Sequence, residues 1–387
     1  MQTRREFIAT ATVVLAGCAH VSQRSTQATL IGYTEYRTNL TTRYDNQITS
    51  RACVVGDDGS RRVELAPELV IKPNTWTQFA GWSPDGSFAI LGRGWESPEN
   101  GAWEEEHKTF RMTEGWLYDI LLLEIATGTL TNLTEIERVS AYNSGLFFIP
   151  GTPQRLGFTA LINAESHPFV MDLDGRNKRD LSQGDGGFAY GFSASPDGKL
   201  VTYHQDYKII IANADGSEAR AIETGNPFNF VPQWSPDGNW ILFVSGEHYD
   251  CHPHVVRRDG TGLQKLADRQ GYTGVMTVYD VFDFHGGSSD VPVWSLDGQF
   301  VYYTAKVGEA FELMRVTLDS TSEQLTSSAP GVHHYHVKPS ADGKRIAFGS
   351  TRDGRRQLYV AELDVQNARA ITSVGEGSGA MWAQWRP

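Results

Sequence analysis

Short runs of β-branched and aromatic residues, each bounded by a small polar turn, recur along this chain. Trp240-Ile241-Leu242-Phe243-Val244 and Arg345-Ile346-Ala347-Phe348-Gly349 are clear cases, and their length and composition predict strands leaving tight turns. A second type of run ends in Asp-Gly, as in Phe169 to Gly175, Ile209 to Gly216 and Val255 to Gly260. A further short strand closes on a pair such as Leu325-Thr326 or Ile371-Thr372. Four strands per unit make one small sheet.

The units repeat. Trp82-Ser83-Pro84-Asp85-Gly86 reappears around Ala194, Trp234, Trp294 and Pro339, with a worn copy at Phe148 and an incomplete one at Trp385. The closest pair, at 194 and 234, defines a bare unit, and the longer spacings imply insertions at Glu96 to Trp116 and Gly271 to Ser289. The last copy contains only an inner strand, Ala380 to Trp385, whereas Arg51 to Gly59 looks like the later part of a unit. The two chain ends therefore complete one unit together. The expected fold is all-β, a seven-bladed β-propeller of four-stranded blades over residues 31–387, with its ring closure removing free sheet edges.

These repeats resemble those of TolB-type, WD40-like propellers, in which Pro-x-Trp-Ser-Pro-Asp-Gly marks the inner strand and its turn. The resemblance covers roughly residues 30 to 387 and implies a fold, because propellers host both binding modules and enzymes.

Composition supports many short strands: 39 Gly, 11% aromatic and 40% hydrophobic residues. With 34 basic against 46 acidic residues the formal charge is −12, which argues against a nucleic-acid partner or non-specific adhesion to an anionic membrane. Cys53 and Cys251 allow at most one disulfide, so this is no disulfide scaffold. Cys251 reads as a buried thiol, with zinc ligation the alternative.

Ten of the 11 histidines follow residue 20, and the strand reading puts all ten on the face opposite the Asp-Gly turns. Three segments carry most of them: Tyr249 to His254, Asp283 to Asp290 and Gly331 to His336. Alternate residues of a strand share a face, so His334 and His336 are expected to point together into the funnel, and His252 with His254 likewise. Convergent neutral imidazoles suit a divalent transition metal, with Mn or Zn favoured, better than Ca or Mg. The Trp103 to His107 run reads as a solvated loop.

A His-x-His entering a blade, with funnel histidines before it, is similar to the oligogalacturonate lyases. That resemblance implies metal ligation by His334 and His336, joined by the candidate ligand His285, and a base at His252 or His254, with His252 taken as the base and His254 as a further ligand. The family's glutamine shortly before the pair is absent, since Ser328-Ala329-Pro330-Gly331 stands there. The implied activity is β-elimination on an acidic oligosaccharide or polysaccharide. Arg352 would assist catalysis, while His167, Tyr207, Tyr249, Lys306 and Arg355 would bind substrate. A binding propeller with a protein or glycan partner and a metal-dependent hydrolase remain the alternatives. Neither a Gly-x-Ser-x-Gly elbow nor a His-Glu-x-x-His helix is present to favour an esterase or peptidase.

Residues 1–18, MQTRREFIATATVVLAGC, have a charged start, an apolar run and a small residue before cysteine, as a signal peptide does. Arg4-Arg5 resembles a twin-arginine signal, and Leu15-Ala16-Gly17-Cys18 resembles a lipobox. These imply export, lipidation of Cys18, a linker over 19–30 and attachment at the outer membrane, which is favoured by the lack of Asp at position 19.

Overall fold

The computed structural model describes residues 28–39, 50–71, 73–107, 116–134, 139–140, 147–151, 154–162, 165–182, 187, 189–275 and 289–387. Cys18, the export segment and His285 lie outside these residues.

Seven antiparallel sheets form the ring. Blade 1 joins the two ends of the chain, pairing Ser378–Trp385 with Leu30–Arg37, followed by Ser50–Gly56 and Val63–Glu64. The inner strands of blades 2 to 7 are Thr75–Trp82, Phe147–Ile149, Ala189–Ala194, Phe228–Trp234, Val293–Trp294 and His334–Pro339. Six sheets have four strands; that of blade 3 has a fifth because Val139–Ser140 and Phe147–Ile149 both pair with Arg155–Ile162.

The repeated signature is explained by its contacts. In the Ser-x-Asp-Gly turns, the Ser83, Ser195 and Ser295 hydroxyls each lie 2.6 Å from the Asp carboxylate two residues on. The glycine closes the turn by donating its N–H to the serine carbonyl, at 2.8 Å for Gly86 and Ser83. It does so at φ +67, a left-handed value that costs glycine least. The tryptophan of the motif joins blades. Trp82 Nε1 donates to Gln384 O at 2.9 Å and Trp385 Nε1 to Lys338 O at 2.9 Å, each contributing about 1 kcal/mol. Between blades the outward faces of neighbouring sheets meet in apolar layers, such as Ile209, Ile211, Trp234, Ile241, Phe243 and Val256.

One backbone feature recurs on the inner strands and governs the site. Register shifts interrupt the pairing between Tyr190 and Ser193, Phe230 and Gln233, and Tyr335 and Lys338. Within these bulges Gly191, Val231 and His336 have φ of +72, +49 and +51. A bulge adds a residue and re-aims the side chains after it.

The first insertion is not the expected loop. Pro98–His107 is an α-helix, with Glu99 in its first turn, where the helix dipole favours negative charge. Near its end the His107 ring stacks on Trp103 at a centroid distance of 4.0 Å.

Candidate functional site at the mouth of blades 6 and 7

The bulge separates the two histidines that simple alternation would align. His334 is fully buried between blades 6 and 7. Its Nε2 lies 2.8 Å from Ser328 Oγ and 3.5 Å from Glu312 Oε2, and its ring meets Phe348 edge-on. His336 instead lines the axial cavity, with Nε2 donating to Ser289 O at 2.8 Å and the ring 5.7 Å from Trp382. The expectation that the pair points together therefore fails on backbone geometry: the left-handed residue breaks the period of two.

A different grouping forms at the mouth. The backbone N–H of His336 donates to Asp290 Oδ1 at 2.9 Å. Tyr272 Oη donates to Asp290 Oδ2 at 3.0 Å and lies 3.2 Å from His333 Nε2. Because the tyrosine proton is committed to the carboxylate, His333 Nε2 must be the donor, which leaves its Nδ1 lone pair open. By the same reasoning His336 Nε2 carries a proton for Ser289 O, and its Nδ1 is buried without a partner. The link from Gln264–Lys265 to blade 6 supplies Tyr272 and Asp290, while entry into blade 7 supplies His333 and His336.

The rings are held neutral. Burial pushes His333 down to about 4, with the Arg356 charge adding to the effect and Asp290 opposing it. Burial pushes His334 down to about 3 and lowers His336 as well. Burial also raises Tyr272 well above the ordinary phenol range, so it stays protonated and able to donate. Beneath the grouping lies Arg269, fully buried, whose Nη2 donates to Asp290 O at 2.7 Å while Nε and Nη1 are unpartnered.

The other expected residues are spread around this centre. His252 is buried and connects to it indirectly: its Nδ1 accepts the backbone N–H of Arg269 at 3.2 Å. Its Nε2 faces Asp250 at 3.3 Å and Asp268 at 3.5 Å, so neither nitrogen offers a free lone pair to a substrate. His254 Nδ1 bonds to His252 O at 2.9 Å, and its ring packs near Phe243. Burial lowers both.

His167 is buried in blade 3 against Asp180 at 3.0 Å and Ser182 at 3.1 Å, a satisfied structural position. Tyr207 packs on Phe228 and Phe230, Tyr249 packs on His248, and Lys306 is exposed. Arg352 is exposed and stacks over Tyr359 at 4.8 Å, while Arg355 donates to Val374 O at 3.3 Å. Arg356, which donates to Tyr36 Oη at 3.0 Å, is the arginine whose charge acts on both His333 and His336. Cys251 is a buried free thiol, pushed up to about 12 by burial.

A transition metal binds unprotonated nitrogen that has no other partner. His336 Nδ1 meets that requirement, and its Nε2–H to a backbone carbonyl is the kind of second contact that orients ligating histidines. His334 Nδ1 is also buried and unpartnered, but the ring faces the cleft between blades. Among the described residues no three His, Cys, Asp or Glu side chains gather as a metal set. The donors therefore fit one ligand position and not a complete site.

No known family model matches the chain. An uncharacterized protein of Agrobacterium fabrum is 25% identical over 218 residues, 54% of this chain and 61% of that protein. An oligogalacturonide lyase of Pectobacterium atrosepticum is 25% identical over 171 residues, 41% of this chain and 43% of the lyase. These matches thus cover less than two thirds of either relative. Among solved structures, TolB of Acinetobacter baumannii superposes with a TM-score of 0.53 at 15% identity, over 93% of this chain and 67% of TolB. An oligogalacturonate lyase in complex with manganese gives 0.54 at 14% identity, over 91% and 89% of the two chains. The fold is that of TolB and the oligogalacturonate lyases. At such identities the structural likeness fixes the architecture alone.

Proposed function

We propose that this propeller is a lyase that cleaves uronate-containing oligosaccharides or polysaccharides by β-elimination at the mouth of blades 6 and 7. The observation that carries the proposal is the Asp290–Tyr272–His333 chain, which fixes a neutral imidazole with its Nδ1 lone pair open. Arg356 would pair with the uronate carboxylate and withdraw charge from the adjacent C5–H bond. His333 Nδ1 takes the C5 proton, the C–H electrons form the C4=C5 bond, and the C4–O glycosidic bond breaks. The leaving oxygen is protonated by water in the funnel.

A base held near 4 in the free protein is weak, but the carboxylate of a bound substrate raises it. Neutral His336 would offer one ligand position to a divalent transition metal, Mn or Zn in the first instance. When bound, such an ion would neutralise the uronate carboxylate further. His252 is assigned a positioning role through Arg269. Export and anchoring through Cys18 to the outer membrane complete the proposal.

The test is the ultraviolet absorbance of the C4=C5 uronide, followed on oligogalacturonate and other uronate glycans with the parent, His333→Gln and Asp290→Asn. The expected result is product from the parent, with kcat lowered at least tenfold in both variants. Asp290→Asn should retain more activity than His333→Gln, because it disturbs only the orientation of the base. Unchanged kcat in both variants would remove the site from the chemistry. Glycan binding without product from any form would favour the binding propeller.

A further inference from the structure

Below the mouth, the inner strands enclose an axial cavity of about 460 Å³. Its walls include apolar residues, such as Phe79, Val231 and Trp382, and a polar band that contains Ser193, Gln384 and Lys338. Three features of this band stand together. The Lys338 side chain is partly exposed to the cavity, and its ammonium group forms no hydrogen bond or ion pair among the described residues. The Gln384 carboxamide is likewise uncommitted, while the Ser193 hydroxyl accepts from Trp234 N at 3.1 Å and keeps its own proton to give. No Asp or Glu side chain is among the described lining residues.

An ammonium group within a protein is normally paired, because desolvation without a counter-charge is costly. Here the backbone of the lysine is fixed by the fold: its carbonyl receives the Trp385 indole at 2.9 Å, the bond that ties blade 1 to blade 7. The side chain is thus carried on a rigid strand with donors on two other blades, and although Pro387 also lines the cavity, the ammonium forms no ion pair among the described residues.

We infer that the axial cavity is an anion-binding site, in which Lys338, Gln384 and Ser193 hold an oxyanion or carboxylate no larger than a single sugar acid. The cavity shares His336 with the proposed elimination centre, but Lys338, Gln384 and Ser193 take no part in that chemistry.

The experiment is thermal unfolding of the full chain with inorganic phosphate or D-galacturonate, each against chloride at matched ionic strength, for the parent and Lys338→Met. Anything that binds only the folded state raises the midpoint by mass action. The expected result is a saturable rise of several degrees in the parent that is absent in Lys338→Met, whose ligand-free midpoint is equal to or above the parent's. A rise with phosphate as well as galacturonate assigns a general oxyanion site, and a rise with galacturonate alone assigns a sugar-acid site. No rise with either anion, or equal rises in both proteins, overturns the inference. Should Lys338→Met fail to fold, Gln384→Leu provides the same reading: a weaker saturable rise supports the site, and an unchanged one overturns it.

Discussion

Mild acid should unfold this protein through its buried imidazoles before its carboxylates titrate. His333 and His334 stand at about 4 and about 3 in the folded protein against an ordinary value of 6.5, and His336 is lowered in the same direction. In the unfolded chain these rings protonate near their ordinary value, so below it the unfolded state binds more protons and stability falls as pH falls. The loss begins near 6.5 and continues down to the folded values. Each fully buried ring contributes about 1.4 kcal/mol per pH unit inside that window. His334 is 0% exposed and contributes the full slope, whereas half-buried His333 contributes on the order of half that because water screens it. Urea unfolding from about pH 7 to about pH 5 measures the sum, and His334→Gln isolates one share. The glutamine cannot titrate, so the variant should start less stable near pH 7 yet lose about 1.4 kcal/mol per pH unit less than the parent. Parallel slopes in parent and variant would refute the reasoning, as would a parent whose stability is flat across the range.

Other expectations follow from packing and burial. At Gly349 a β-carbon would lie 2.0 Å from Tyr335 Cε2, so Gly349→Ala should cost about 1–3 kcal/mol in a denaturation series; a neutral result would mean that Tyr335 can shift. Trp385→Phe removes the indole bond to Lys338 O and should destabilise the closing blade by about 1 kcal/mol or more, with the loss read from the same series. Cys251, pushed up to about 12 and buried, should resist thiol reagents at neutral pH until the protein unfolds. Rapid labelling of the folded protein would contradict its placement.

The fold was legible because its signals are local. Ser-Pro-Asp-Gly turns and tryptophans at the same point of each repeat are read directly, and even the worn copy at Phe148 proved to be an inner strand. The site was legible only in part. The segments ending at Asp290 and His336 were recognised, but alternation was applied across a bulge that a sequence does not announce at a non-glycine residue. Val231 and Trp382 occupy comparable left-handed positions, and neither carries the glycine that would have signalled one. The roles of Tyr272 and Arg269, and that of Asp290 within its segment, arise from a long-range meeting of two inter-blade links that no local pattern announces. Arg356 differs from Arg352 and Arg355 in its contact with Tyr36 and its charge on His333 and His336, which only the folded turn before Gln357 brings about. The helix Pro98–His107 has an acidic, weakly apolar sequence with no helical stripe to announce it.

The central claim is that the open imidazole of His333 performs an elimination. The most direct measurement is the mass of the non-reducing-end product released from a uronate oligosaccharide by the purified protein, beside His333→Gln. Elimination predicts an unsaturated uronide one water lighter than the hydrolysis product, formed by the parent and lost in the variant. A saturated product of full mass, or the unsaturated product formed equally by both proteins, would contradict the account.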